Sequence, residues 1–300
     1  MIASVRTAVI SLVAVCVYWL PVRAVPQSPP ELAALMTRIG ERVASYYRRA
    51  QAVVCVESST VQPISSEWSS EGFARTVESD LRVDFEAADG YGLPEATVHR
   101  EPRRVNGRAP RERDKKDRSG CTDPNPLSPA PLAFLLPSHR DEYRFVSVRE
   151  GKEQDRAALI IDFLSAERRS KPVLIEDAGG HDDCFDWSGP VATGGRVWID
   201  PSTDEVLRVE RHLTGPTDIR VPWALQRRYN FGPYVVLDRD DLTLRYKPIA
   251  FSEPAETMLL PESIDSVTVI RGGLQSIRRT QTFSDYRRFV TEGHIIKKIR

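Results

Sequence analysis

The sequence predicts an α+β fold, a curled antiparallel sheet forming a half-open β-barrel covered by a few helices. Three observations predict it: one amphipathic helix near the N-terminus, about ten short strand-like runs after it, and hairpin-length turns between most of those runs. Regular strands with few intervening helices argue for a meandering antiparallel sheet. A twisted sheet of that size tends to curl or close on itself. No repeat of fixed period and no internal linker divides the chain, so residues 25–300 read as a single domain.

Residues 1–24 read as a cleavable secretory signal. A basic start ends at Arg6, an apolar run extends from Thr7 to Leu20, Pro21 breaks it, and Val22-Arg23-Ala24 supplies a cleavage site. The apolar run is about 14 residues, short of the roughly 20 that span a bilayer. No later stretch approaches that length, so no transmembrane segment is expected after cleavage, and the localisation expected is periplasmic or secreted. The whole chain has 42 basic and 42 acidic residues. Losing Arg6 and Arg23 with the leader makes the mature domain slightly acidic, which gives no global attraction to nucleic acid.

Ser28-Pro29-Pro30-Glu31 is a helix start, with a capping serine, proline at the first helical position and a glutamate reaching back. Leu32, Leu35, Met36, Ile39, Val43, Tyr46 and Tyr47 then recur at helical spacing, which predicts a helix over 30–49 with one face ready for a sheet. Strands are expected at Val53–Val61 and Phe73–Glu86. In the latter Leu81, Val83 and Phe85 alternate with Arg82, Asp84 and Glu86. Ala96–Val105 runs into Asn106-Gly107, a hairpin-turn dipeptide. Residues 108–130 have no apolar periodicity and read as a long charged loop. Leu132, Phe134, Leu135 and Leu136, between Pro131 and Pro137, form a short apolar stretch that suits a helix. Tyr143–Arg149 and Ala157–Leu164 read as strands joined by the charged turn Glu150–Glu153. Residues 166–195 read as an irregular, cysteine-bearing insertion. Arg196–Asp200 and Glu205–Leu213 flank an Asp-Pro turn. Tyr234–Leu237, Leu242–Tyr246, Ile264–Arg271 and Gln275–Tyr286 complete the strands, with Asp240-Asp241 assigned to a turn.

Export predicts one disulfide among Cys55, Cys121 and Cys184 and leaves one thiol over. Cys55 sits in an apolar strand, where a buried thiol acts as a small hydrophobe. Cys121 and Cys184 lie in polar segments, so they are the expected pair. His181, Asp182, Asp183, Cys184 and Asp186 form the densest set of metal-capable side chains, but ligands so close in sequence seldom converge on one ion, and no second cluster completes them. No Gly-x-Ser-x-Gly elbow is present. No catalytic residue, metal or cofactor is therefore expected. Between Arg100 and Arg118 nine basic residues are interleaved with four acids and lack aromatics for base stacking. This reads as a solvated loop, with Arg108, Arg111, Arg113, Lys115 and Lys116 as candidates for contact with an anionic headgroup or partner.

The helix ending in Tyr46-Tyr47, the meander, the unit from Gly195 to Glu210 around Asp200-Pro201, and the closing segment from Leu260-Pro261 to Phe289 resemble the LolA/LolB-type fold of periplasmic lipoprotein carriers. The resemblance covers about two thirds of the mature chain and departs from the family in the loop 108–130 and the insertion 166–195. It implies a concave, apolar sheet face able to hold an acyl chain or an apolar peptide. Under it, Leu81, Val83, Phe85 and Trp198 line the sheet and Leu132, Phe134, Leu135 and Leu136 form a lid. The function expected is a non-catalytic carrier or sensor of a lipid, acyl chain or lipoprotein, with an envelope protein as a further partner. Two alternatives stay open: a structural or regulatory interaction module whose barrel is filled by its own side chains, and an exported hydrolase with its site near His181.

Overall fold

The computed structural model describes residues 29–50, 53–86, 95–111, 131–166, 170–176, 184–252 and 255–288. The leader, most of the charged loop and the C-terminal tail lie outside the described residues. Helix α1 spans Pro29–Ala50, matching the apolar spacing. Strands β1 (Val53–Ile64), β2 (Arg75–Glu86) and β3 (Glu95–Val105) follow. Two 3-10 turns, Ala133–Leu135 and Pro137–Glu142, lead into β4 (Tyr143–Glu153) and β5 (Arg156–Ser165). Then come β6 (Val173–Glu176), β7 (Phe185–Ser188), β8 (Thr193–Ile199), β9 (Val206–Leu213) and β10 (Thr217–Arg220). Helix α2 (Trp223–Tyr229) precedes the three long strands β11 (Tyr234–Ser252), β12 (Ala255–Arg271) and β13 (Ser276–Arg288).

All the described strands join one sheet in the order β3-β2-β1-β13-β12-β11-β9-β8-β5-β4, and β10, β6 and β7 branch from β11. Every pairing is antiparallel except a single bridge between β10 and β6. The sheet does not close, so the architecture is the expected open, curled barrel with α1 on its inner face. There Leu35, Met36, Ile39, Val43 and Tyr47 join Leu132, Leu135 and Leu136 and the sheet residues Ile161, Val197, Val209 and Leu244 in one core.

The turn chemistry is realised at both places where it was strongest. Asn106 and Gly107 have positive φ, and the Asn106 side chain accepts from the Thr76 amide of β2 at 2.8 Å. Asp200 closes its turn by accepting from the backbone N–H and the hydroxyl of Ser202. At mid-sheet, a Cβ on Gly195 would lie 2.0 Å from the Glu210 carbonyl oxygen, so β8 approaches its neighbours more closely than any side chain permits.

Four expectations need correction. The β4–β5 turn is not Glu150–Glu153: the strands continue, Gly151 pairs with Ala158, and the turn is Gln154-Asp155, both at positive φ. The hairpin projects polar residues from both faces at this end, so no alternation marked its length. Asp240 and Asp241 lie within the unbroken β11 rather than in a turn. Asp240 accepts from Arg211 of β9 and Thr268 of β12, and Asp241 pairs with Arg239 of β11 itself, so partners within the sheet satisfy carboxylates that looked solvated. Residues 166–195 are not wholly irregular, because they supply β6, β7 and the start of β8. Leu174 of this insertion packs with Ile219, Val221, Leu225, Val235 and Leu237 in a second small core, beneath the helix α2 that no apolar period announced. Finally, the apolar stretch after Pro131 forms 3-10 turns instead of a helix, since Pro137 denies it the length a helix needs.

Candidate functional site

The inner face divides into a filled part and a part with space. Beneath the middle of α1, Leu132, Leu135 and Leu136 are buried, and the Leu132 N–H donates to the Tyr47 hydroxyl at 3.0 Å. Phe134 packs at 4.6 Å between ring centroids on Phe163, with Tyr143 alongside. These proposed lid residues therefore sit in the core of the described structure. Trp198 is buried in the same core and carries the Arg208 guanidinium over its ring at 4.7 Å.

Beside the C-terminal end of α1 lies a half-open cavity of about 110 Å³. Tyr46 and Ala50 of α1 and Pro131 border it, over a floor and walls made by Val53, Cys55 and Glu57 of β1, Leu81 and Val83 of β2, and Val98 and Arg100 of β3. Leu260, Pro261 and Ile264 of β12 and Gln281, Phe283 and Tyr286 of β13 complete it. Leu81 and Val83 are thus where the alternation put them. Phe85 lies further along β2, with its side chain outside the described part, and Trp198 and the four lid residues do not line this space.

The floor is polar although its walls are not. Arg100 donates to Glu57 through Nε at 2.5 Å and Nη2 at 3.0 Å, and Gln281 Nε2 donates to Glu57 Oε1 at 2.6 Å. The Glu57 side chain is 2% exposed and that of Arg100 18%. The register explains the reach: Arg100 lies opposite Leu81, and the small Ser79 lies opposite Glu57, which leaves room for the arginine to cross β2. Cys55, next in the same inward phase, is a buried free thiol. Burial first, and then the Glu57 carboxylate, push its pKa up to about 12, so it stays protonated and inert as a nucleophile at neutral pH. Burial likewise raises Tyr46 and Tyr286, whose hydroxyl donates to the Pro261 carbonyl at 2.6 Å. Glu57, Arg100 and Gln281 were not anticipated as site residues. The signal available was Cys55, Glu57, Ser59 and Val61 sharing one phase of β1, which makes Glu57 an inward charge.

Other expected residues are more scattered. Arg108 is half-buried and Arg111 exposed, while Arg113, Lys115 and Lys116 lie outside the described residues. Cys184 is held in a disulfide, and Cys121 lies outside the described residues. His181, Asp182 and Asp183 are also outside them, and Asp186 is exposed on β7, capping the Trp187 amide. Among the described residues no group of three or more His, Cys, Asp or Glu side chains is placed to hold a metal ion. No described helix is long and apolar enough to cross a membrane.

No protein-family model matches the chain, and no curated protein does. Among solved structures, an outer membrane lipoprotein-sorting protein domain from Vibrio parahaemolyticus aligns over 84% of this chain and 93% of its own, at 10% identity and a TM-score of 0.31. MucB of Pseudomonas aeruginosa, solved with MucA, aligns over 87% of this chain and 99% of that chain at 12% identity and a TM-score of 0.20. The chain is similar to these structures in fold alone.

Proposed function

We propose that the protein is an exported, non-catalytic binding protein that holds an apolar group on its concave face. The observation that carries this reading is the half-open cavity between α1 and the β1-β2-β3-β12-β13 part of the sheet, whose walls are Leu81, Val83, Val98, Leu260, Ile264 and Phe283. At about 110 Å³ it is smaller than the roughly 150 Å³ that takes a benzene ring. In this conformation it receives the end of an acyl chain or one apolar side chain. The inert thiol of Cys55 suits this cavity to binding. A disulfide between Cys121 and Cys184 would tie the loop 108–130 to the insertion, and Arg108, Arg111, Arg113, Lys115 and Lys116 would meet an anionic headgroup or partner.

A second reading, an envelope interaction module with a self-filled interior, is favoured by the burial of Leu132, Leu135 and Leu136. Native mass spectrometry of the protein purified from its own exported fraction, followed by organic extraction, separates the two. Stoichiometric lipid or lipopeptide supports the carrier. An empty protein that also fails to take up a fluorescent fatty acid overturns it in favour of the module.

A further inference from the structure

The floor of the cavity carries one unmet acceptor, and it defines the chemistry of what enters. Glu57 is acceptor-only as a carboxylate and both its oxygens are engaged, by Arg100 and by Gln281 Nε2. That contact fixes the orientation of the Gln281 amide: the nitrogen must face the carboxylate, and the oxygen must face elsewhere. Gln281 is 1% exposed and borders the cavity, and its Oε1, shut off from water in this conformation, has no hydrogen-bond partner among the described residues, so a ligand reaches it when the side chain turns toward the space. It is the one buried side-chain oxygen or nitrogen of the cavity lining in that position. A buried acceptor left bare is costly, so its surroundings favour whatever supplies a donor.

The geometry points to a ligand whose apolar end carries a neutral hydrogen-bond donor, an alcohol O–H or an amide N–H, that Gln281 Oε1 accepts. A pure hydrocarbon leaves the oxygen unmet. A carboxylate brings only acceptors and sets a second negative charge beside Glu57, whose counter-ion Arg100 is already engaged. Gln281 is then a specificity-determining residue, and the polar floor discriminates among ligands that the apolar walls would treat alike. This inference rests on the binding reading above and names the ligand class for the same site.

The test is a titration of the ¹⁵N-labelled chain at pH 7 with cyclopentanol, cyclopentane and cyclopentanecarboxylate, following the Gln281 side-chain amide and the backbone amides of Leu81 and Phe283. The cavity is half-open, so the part of a ring that exceeds its volume extends through the mouth. The expected result is cyclopentanol bound about tenfold or more tightly than either of the others, with that advantage over cyclopentane lost in Gln281→Leu. Equal binding of cyclopentanol and cyclopentane by the unmodified protein overturns the inference and leaves the binding reading standing. A preference that survives Gln281→Leu overturns the role of Gln281. Binding of none of the three overturns both readings. Should Gln281→Leu fail to fold, the ranking of the three ligands on the unmodified protein still decides.

Discussion

The two parts of the inner face belong to one sheet, on different strands, and solve different problems. Beneath the middle of α1, mostly apolar side chains from the 3-10 turns, β5, β8 and β11 interdigitate, and Ile39, Leu135, Ile161 and Leu244 are essentially inaccessible. Beside the end of α1, an ion pair is sunk under apolar walls and space remains above it. The first arrangement maximises stability, since close packing recovers dispersion at every surface. The second keeps charge where a hydrophobic replacement would commonly be as stable, and leaves atoms without partners. Regions that forgo packing in this way are where ligands find purchase.

The comparison is broken most severely at the ion pair. Arg100→Leu strands the Glu57 carboxylate in the interior, and about 3–5 kcal/mol of stability should be lost in urea unfolding. Glu57→Leu costs less, because the Arg100 side chain keeps partial access to water. The double replacement should recover much of the loss, whereas additive costs would show that the pair is not coupled.

Leu135→Ala probes the filled part and is expected to cost about 3 kcal/mol. Leu81→Ala, whose side chain already borders empty space, should cost about 1–2 kcal/mol and enlarge the cavity. Equal costs would mean that the two parts are packed alike. Cys55 sharpens the same contrast: iodoacetamide should leave it unmodified in the folded protein at pH 7 and label it rapidly in denaturant. Folded-state labelling should rise only as pH approaches its pKa of about 12.

The smallest effect belongs to the outer face, where Arg149, Arg196 and Ser147 surround Asp162. Burial opposes ionisation of Asp162, but those partners outweigh it and hold its pKa below the usual 3.8. Its contribution is complete above the ordinary carboxylate range and fades as pH falls through the lower folded value. Arg149→Ala should cost under about 1 kcal/mol at pH 7, and the variant and parent should converge in stability as pH falls through the lowered folded value of Asp162.

The legible elements were those whose cause is local. Helix α1 follows from its apolar spacing, and the 106–107 and 200–204 turns follow from the backbone preferences of Asn, Gly, Asp and Pro. Strand β11 was read as two pieces because Asp238, Arg239, Asp240 and Asp241 look like a turn. Only Arg211, Thr268 and Arg271, from strands on either side, make those charges tolerable inside a strand. The site divided in the same way. Leu81 and Val83 were visible through alternation, whereas Glu57, Arg100 and Gln281 come from three strands and acquire meaning only through register. Leu132–Leu136 were conspicuous for apolarity alone, which does not distinguish a side chain that closes a core from one that covers a ligand.

The order of strands has a consequence for how the chain reaches this state. β1 lies between β2 and β13, and Val61 of β1 is aligned with Arg279 of β13. Among the described strands the first therefore waits for the last before both its edges are covered. Contacts so distant in sequence form slowly, because the chain loses the entropy of closing a long loop before the pairing rewards it. Until then β1 and β2 form a ribbon with an unpaired edge, a template for joining another chain. Truncation within β13 should accordingly produce aggregation rather than a smaller soluble domain, and refolding yield should fall steeply with protein concentration.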